Sequence, residues 1–157
     1  MRILKYALAC LLMLTLVLLI FPARGHAADS TGENITWNLN GGRLTISGTG
    51  AIQESSAKSW SAYHNVVKEV VIEPGITALC EGAFQNFTAL TSVTVPEGFD
   101  CIPSMAFYRC GVLTEVNLPD GLTEIGSFAF MDCHSLQQLQ LPNGLKTIQT
   151  GAFKTAA

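Results

Sequence analysis

Asp132-Cys133-His134 brings a carboxylate, a thiol and an imidazole together in three consecutive residues. A thiol next to an imidazole can be deprotonated to a nucleophilic thiolate, which would make His134 the base and Cys133 the nucleophile. Adjacent residues on a turn or strand point apart, however, and no group elsewhere in the chain is spaced to complete a convergent geometry. The triplet is therefore not read as a catalytic site, and the chain is not expected to be an enzyme. His26 and His64 stand alone, which leaves no raw material for a three-ligand metal site. Asp and Glu are scattered without calcium-loop spacing. No cofactor and no metal are expected. Asn34-Ile35-Thr36 and Asn86-Phe87-Thr88 match the glycosylation sequon, a signal that matters only in a eukaryotic secretory pathway.

The elements that must carry these residues begin with a leader. Arg2 and Lys5 precede an apolar run from Tyr6 to Phe21 that is interrupted only by Thr15, and Gly25 and Ala27 supply small residues after it. This is the three-part layout of a secretory signal peptide over residues 1–27, with the cut expected before Ala28. The run is shorter than the roughly 20 residues needed to span a bilayer, so membrane contact is expected through the leader alone, during export. The leader holds three of the nine basic residues and none of the twelve acidic ones, so the remainder carries 6 against 12, a net charge of −6. Such a charge disfavours nucleic acid and anionic lipid. Four cysteines remain after the cut: Cys80, Cys101, Cys110 and Cys133. An even count in an exported protein makes disulfides worth testing against the spacing.

The spacing is set by a repeat. Ala-Phe recurs at 83-84, 106-107, 129-130 and 152-153, each time 23 residues on. Leu90, Leu113 and Leu136 share one slot; Val93, Val116 and Leu139 a second; Val95, Leu118 and Leu141 a third, followed by Pro96, Pro119 and Pro142. Gly98, Gly121 and Gly144 come next, and Ile102, Ile125 and Ile148 complete the set. One step earlier, Val67, Val70, Ile72, Gly75, Ile76 and Leu79 fit the same slots, so four repeats are read over residues 66–157. A single unit cannot bury its apolar side alone, whereas stacked coils bury each slot against its neighbour. Val93-Thr94-Val95, Val116-Asn117-Leu118 and Leu139-Gln140-Leu141 alternate as short strands, which proline then stops.

The pattern Leu-x-x-Val-x-Val/Leu-Pro-x-Gly-Leu-x-x-Ile-x-x-x-Ala-Phe-x-x-Cys resembles the leucine-rich repeat of the BspA-like (Treponema pallidum-type) class. The fold expected is a mainly β leucine-rich-repeat solenoid of 23-residue coils. The sequence departs from the pattern at Phe87, which stands where Cys110 and Cys133 follow, and at Pro103 and Gln149 in the slot of Gly126. Cys110 and Cys133 share a slot in neighbouring coils, near the strand spacing of about 4.8 Å that a disulfide can span. The preferred reading is two stacked small apolar side chains, because the slot also accepts Phe87. Cys80 and Cys101 fall in different slots and are expected to be unpaired.

Residues 28–65 are read as a cap. Ile35, Trp37 and Leu39 alternate with polar residues, Asn40-Gly41-Gly42 makes a turn, and Leu44 and Ile46 return, which is a β-hairpin signal. A solenoid must close its first coil against water, and Trp60 and Tyr63 are expected to cover that end as well. No C-terminal cap is visible before Ala157; the preferred reading is a longer parent protein, the alternative an open end that self-associates. The strand residues between apolar slots must face outward in two ladders, Glu69, Ser92, Glu115, Gln138 and Val71, Thr94, Asn117, Gln140. The candidate ligand-binding residues are Ser92, Thr94, Glu115, Asn117, Gln138 and Gln140. The resemblance implies a secreted or cell-surface adhesion module that binds an extracellular protein or glycan; a structural spacer in a longer surface protein is the alternative.

Overall fold

The computed structural model describes residues 23–28 and 34–156. The expected leader lies outside these residues except for its end, which belongs to the first strand, β1 (Ala23–Ala28). The predicted hairpin is present as β2 (Asn34–Asn40) and β3 (Arg43–Ser47), paired antiparallel with Asn40 opposite Arg43. Gly41 and Gly42 both have positive φ, +59° and +88°, as a two-residue turn of the type that matches strand twist requires. β4 (Gly50–Ala51) and a helix not foreseen in the sequence, α1 (Glu54–Ser61), follow. The helix is short and rich in serine, so propensity alone gives little signal. Its inward face is Ser56, Ala57 and Trp60, and Glu54 meets Lys58 at 3.0 Å one turn on.

The coils then stack. β5 (Glu69–Ile72), β7 (Ser92–Thr94) and β9 (Glu115–Asn117) pair parallel in register, Val70 beside Val93 beside Val116. β3 pairs parallel with β5, so hairpin and coils form one six-stranded sheet in the order β1-β2-β3-β5-β7-β9. On the opposite wall β8 (Cys101–Ile102), β10 (Glu124–Ile125) and β11 (Thr147–Ile148) form a second parallel sheet, and β4 pairs with β6 (Ile76–Ala78). The apolar slots meet between the walls: Val70, Val93, Leu90, Leu113, Ile102 and Ile125 have no exposed surface. Each such side chain contributes roughly 1.5–3 kcal/mol relative to exposure.

A ring stack runs along the axis. Phe84, Phe107, Phe130 and Phe153 lie nearly parallel, with centroid separations of 5.6, 5.3 and 5.4 Å. Trp60 of α1 continues it, stacked on Phe84 at 6.1 Å with its indole N–H donating to the Ala83 carbonyl. Trp60 therefore stands in the place of the phenylalanine of a preceding coil, and Tyr63 tilts against Trp37 at 5.6 Å. The helix and hairpin close this end of the stack.

The turn beside the rings has a feature the repeat pattern conceals. Asn86, Arg109, Asp132 and Thr155 have φ of 63°, 59°, 61° and 59°, and Gly82, Met105, Phe128 and Gly151 form a second left-handed series. These conformations turn backbone N–H groups towards the following coil: Asn86 donates to Tyr108, Arg109 to Met131 and Asp132 to Lys154. Gly126 has no Cβ because one there would lie 2.6 Å from the Ser104 nitrogen, while Pro103 and Gln149 occupy its slot in the adjacent coils.

One strand expectation is corrected. Leu139-Gln140-Leu141 is not a strand; β9 is the last strand of the large sheet. In the two preceding coils, Thr91 and Thr114 clamp the stack through amide and hydroxyl to the Lys68 and Thr91 carbonyls. The fourth coil has Gln137 at that slot, and its amide turns to Ser135. The segment Gln137–Leu141 also lacks a β-branched residue. Gln137→Thr is expected to restore the clamp and raise stability by about 0.5–1 kcal/mol, checked by urea denaturation. An unchanged midpoint with no new protected amide in 138–140 would contradict it.

Candidate binding surface

The outward ladders are built by the parallel register. Arg43, Glu69, Ser92 and Glu115 form one row, and Thr45, Val71, Thr94 and Asn117 the other. Thr94, Glu115 and Asn117 are exposed, Ser92 is partly so, and Asn117 donates to Glu115 at 3.0 Å. The hairpin thus contributes Arg43 and Thr45, which sequence reasoning did not include. Their alternation in Arg43-Leu44-Thr45-Ile46 matches that of Glu69-Val70-Val71-Ile72, but at a step of 26 instead of 23 residues, so a fixed-period search passes over it. Arg43 reaches Glu69 at 3.4 Å, an exposed pair of little energetic weight. Gln138 and Gln140 are exposed but lie beyond the strand pairing, so the ordered rows end at Glu115 and Asn117.

The thiol and imidazole of the Asp132-Cys133-His134 triplet diverge. Cys133 is buried, and its Sγ lies 3.2 Å from the Phe107 carbonyl, to which it donates. His134 is exposed and its Nδ1 lies 2.8 Å from the Thr155 carbonyl. Asp132 accepts from the Thr155 hydroxyl and sits 3.6 Å from Arg109 Nε; the hydroxyl bond first, then the guanidinium, holds its carboxyl below the usual range. Cys110 repeats the structural role of Cys133, donating to Phe84 at 3.2 Å. All four described cysteines are free thiols, Cys80 and Cys101 half-exposed.

Burial pushes the Cys133 thiol up to about 11, and Cys110 rises for the same reason. A thiol whose folded pKa is raised keeps its full contribution to stability below the unfolded value of 9.0 and loses it as pH climbs towards the folded value. Stability is expected to be flat to about pH 8.5 and to fall by about 2 kcal/mol for Cys133 between pH 9 and 11. Urea denaturation against pH checks this, and Cys133→Ala should shrink the fall. An equal fall in that variant would contradict the assignment.

The family model for the BspA-type leucine-rich repeat region matches residues 58–157 in six copies. The chain belongs to the BspA-type leucine-rich repeat family. Among solved structures, a leucine-rich repeat protein from Bacteroides ovatus is 26% identical over 64% of this chain and 27% of its own length, with a TM-score of 0.51. One from Eubacterium ventriosum is 22% identical over 59% of this chain and 31% of its own, with a TM-score of 0.48. The T. pallidum leucine-rich repeat protein is 21% identical over 83% of this chain and 63% of its own, with a TM-score of 0.49. The chain therefore spans less than a third of the length of the first two. No curated protein matches it. The residues matched by the BspA-type model include the stacked Phe84, Phe107, Phe130 and Phe153.

Proposed function

We propose that this chain is an exported, non-catalytic binding module that recognises a protein or glycan at the bacterial cell surface through its exposed sheet face. The observation that carries this reading is the pair of outward rows, Arg43-Glu69-Ser92-Glu115 and Thr45-Val71-Thr94-Asn117, held in register by continuous backbone pairing across hairpin and coils. A face fixed by its own sheet loses little conformational freedom when a partner settles on it. Export is supported by the leader pattern of residues 1–27. Beads coated with the folded chain should adhere to surfaces bearing extracellular-matrix proteins or glycans, and beads coated with heat-unfolded chain should not. Equal retention of both would contradict the reading.

A second reading, an assembly element in a longer surface protein, is favoured by the fourth coil. Leu141 is 45% and Ile148 48% exposed, and Phe153 ends the ring stack partly exposed. Apolar slots presented in this register suit another coil of the same repeat.

A further inference from the structure

The outer edge of the large sheet, in contrast to its face, has no assigned role. β2 pairs on that side with β1, antiparallel, from Ala23 opposite Leu39 to Ala28 opposite Asn34. The expected signal-peptide cut falls before Ala28, so processing would remove five of the six β1 residues, Ala23–Ala27. The strand then left at the edge, Asn34-Ile35-Thr36-Trp37-Asn38-Leu39-Asn40, has no charge and no proline, two of the devices by which natural edges avoid pairing. Because Asn40 and Arg43 close a two-residue turn, the backbone groups of Ile35, Trp37 and Leu39 are the ones directed away from β3. These three residues also point their side chains into the core, so the edge is held straight by buried Ile35, Trp37 and Leu39.

We propose that leader removal opens this edge and that two copies of the chain then pair through it, β2 against β2, antiparallel about a two-fold axis. The inference rests on the export reading. The edge already accepts an antiparallel strand over six residues, and an antiparallel pair of identical strands is the arrangement a two-fold axis produces. With the axis at Trp37, Thr36 of one copy lies opposite Asn38 of the other, and these are half-buried outward positions. The product is one continuous sheet that doubles the outward rows, which makes the binding face bivalent.

The test starts from secreted protein with its N-terminus determined by mass spectrometry, followed by sedimentation across concentration. The chain starting at Ala28 should dimerise. Thr36→Lys with Asn38→Lys places like charges opposite each other and should weaken association at least about tenfold, as should the corresponding double glutamate variant. Mixing the two variants should restore a heterodimer, which a merely misfolded variant cannot do. A chain that starts at Ala28 and stays monomeric overturns the inference while leaving export intact, as does a dimer that both variants retain. Retention of the uncut chain inside the cell overturns the export reading and the inference together.

Discussion

Phe107→Ala should remove about 4 kcal/mol of stability and uncouple the stack at its middle. The ring is fully buried and lies between Phe84 at 5.6 Å and Phe130 at 5.3 Å. Truncating a buried phenylalanine costs roughly 3–5 kcal/mol, and the lost ring pairs place this site towards the upper part of that range. Against a total of about 5–15 kcal/mol for a typical domain, that is a large share. In a solenoid each coil contacts only its neighbours, so the damage should be directional. Amides that bridge the coils beyond the gap, such as Phe128 to Thr150 and Phe130 to Ala152, should lose exchange protection before those of the hairpin. Phe153→Ala, at the partly exposed end of the same stack, should cost less. Denaturant unfolding of both variants, with hydrogen exchange on the first, checks the result; equal costs, or uniform loss of protection, would contradict it.

Gly48→Ala is expected to be as severe for a different reason. Its φ is +135°, and a Cβ built there would lie 1.9 Å from the Asn34 carbonyl oxygen and 2.9 Å from the carbonyl carbon. Backbone atoms cannot swing aside as a side chain can, so β2 must shift or β3 must change conformation. The expected cost is about 3 kcal/mol or more, since a strained φ and a steric clash act together. Gly98 supplies the control, because its φ of +99° is equally unsuited to alanine but no atom lies within 4 Å of the added carbon. Gly98→Ala should cost only about 1 kcal/mol. If the two substitutions cost the same, the clash with Asn34 is not the governing term.

The solenoid was legible because its information is periodic. Valine, leucine, isoleucine and the Ala-Phe pair return at one step, and burial of Val93, Phe107 and Ile125 follows directly from that recurrence. The hairpin was legible from alternation and the Asn40-Gly41-Gly42 turn. Helix α1 was not, because Glu54–Ser61 is short, serine-rich and fixed mainly by Trp60 reaching the ring stack. The end of the large sheet at Asn117 was misplaced, since slot identity at Leu139 does not reveal that Gln137 lacks the threonine hydroxyl which clamps the coils before it. The left-handed series at Asn86, Arg109, Asp132 and Thr155 was equally hidden, as only one of its members is a residue type with a marked tolerance for αL apart from Asp132. Of the candidate surface, Ser92, Thr94, Glu115 and Asn117 were placed by the alternation alone, whereas Arg43 and Thr45 join them through a register that only the folded chain displays.

In the proposed reading the outward rows of the sheet, and not the turns or the thiols, hold the partner. Its most direct test is capture on an array of extracellular proteins and glycans by the wild-type chain and by a variant carrying Ser92→Ala, Thr94→Ala, Glu115→Ala and Asn117→Ala together. Each of these side chains lies on the surface of the sheet, so each change should cost no more than about 0.5 kcal/mol and leave the melting temperature nearly unchanged. Capture should be lost while folding persists. Undiminished capture by the folded quadruple variant would contradict it.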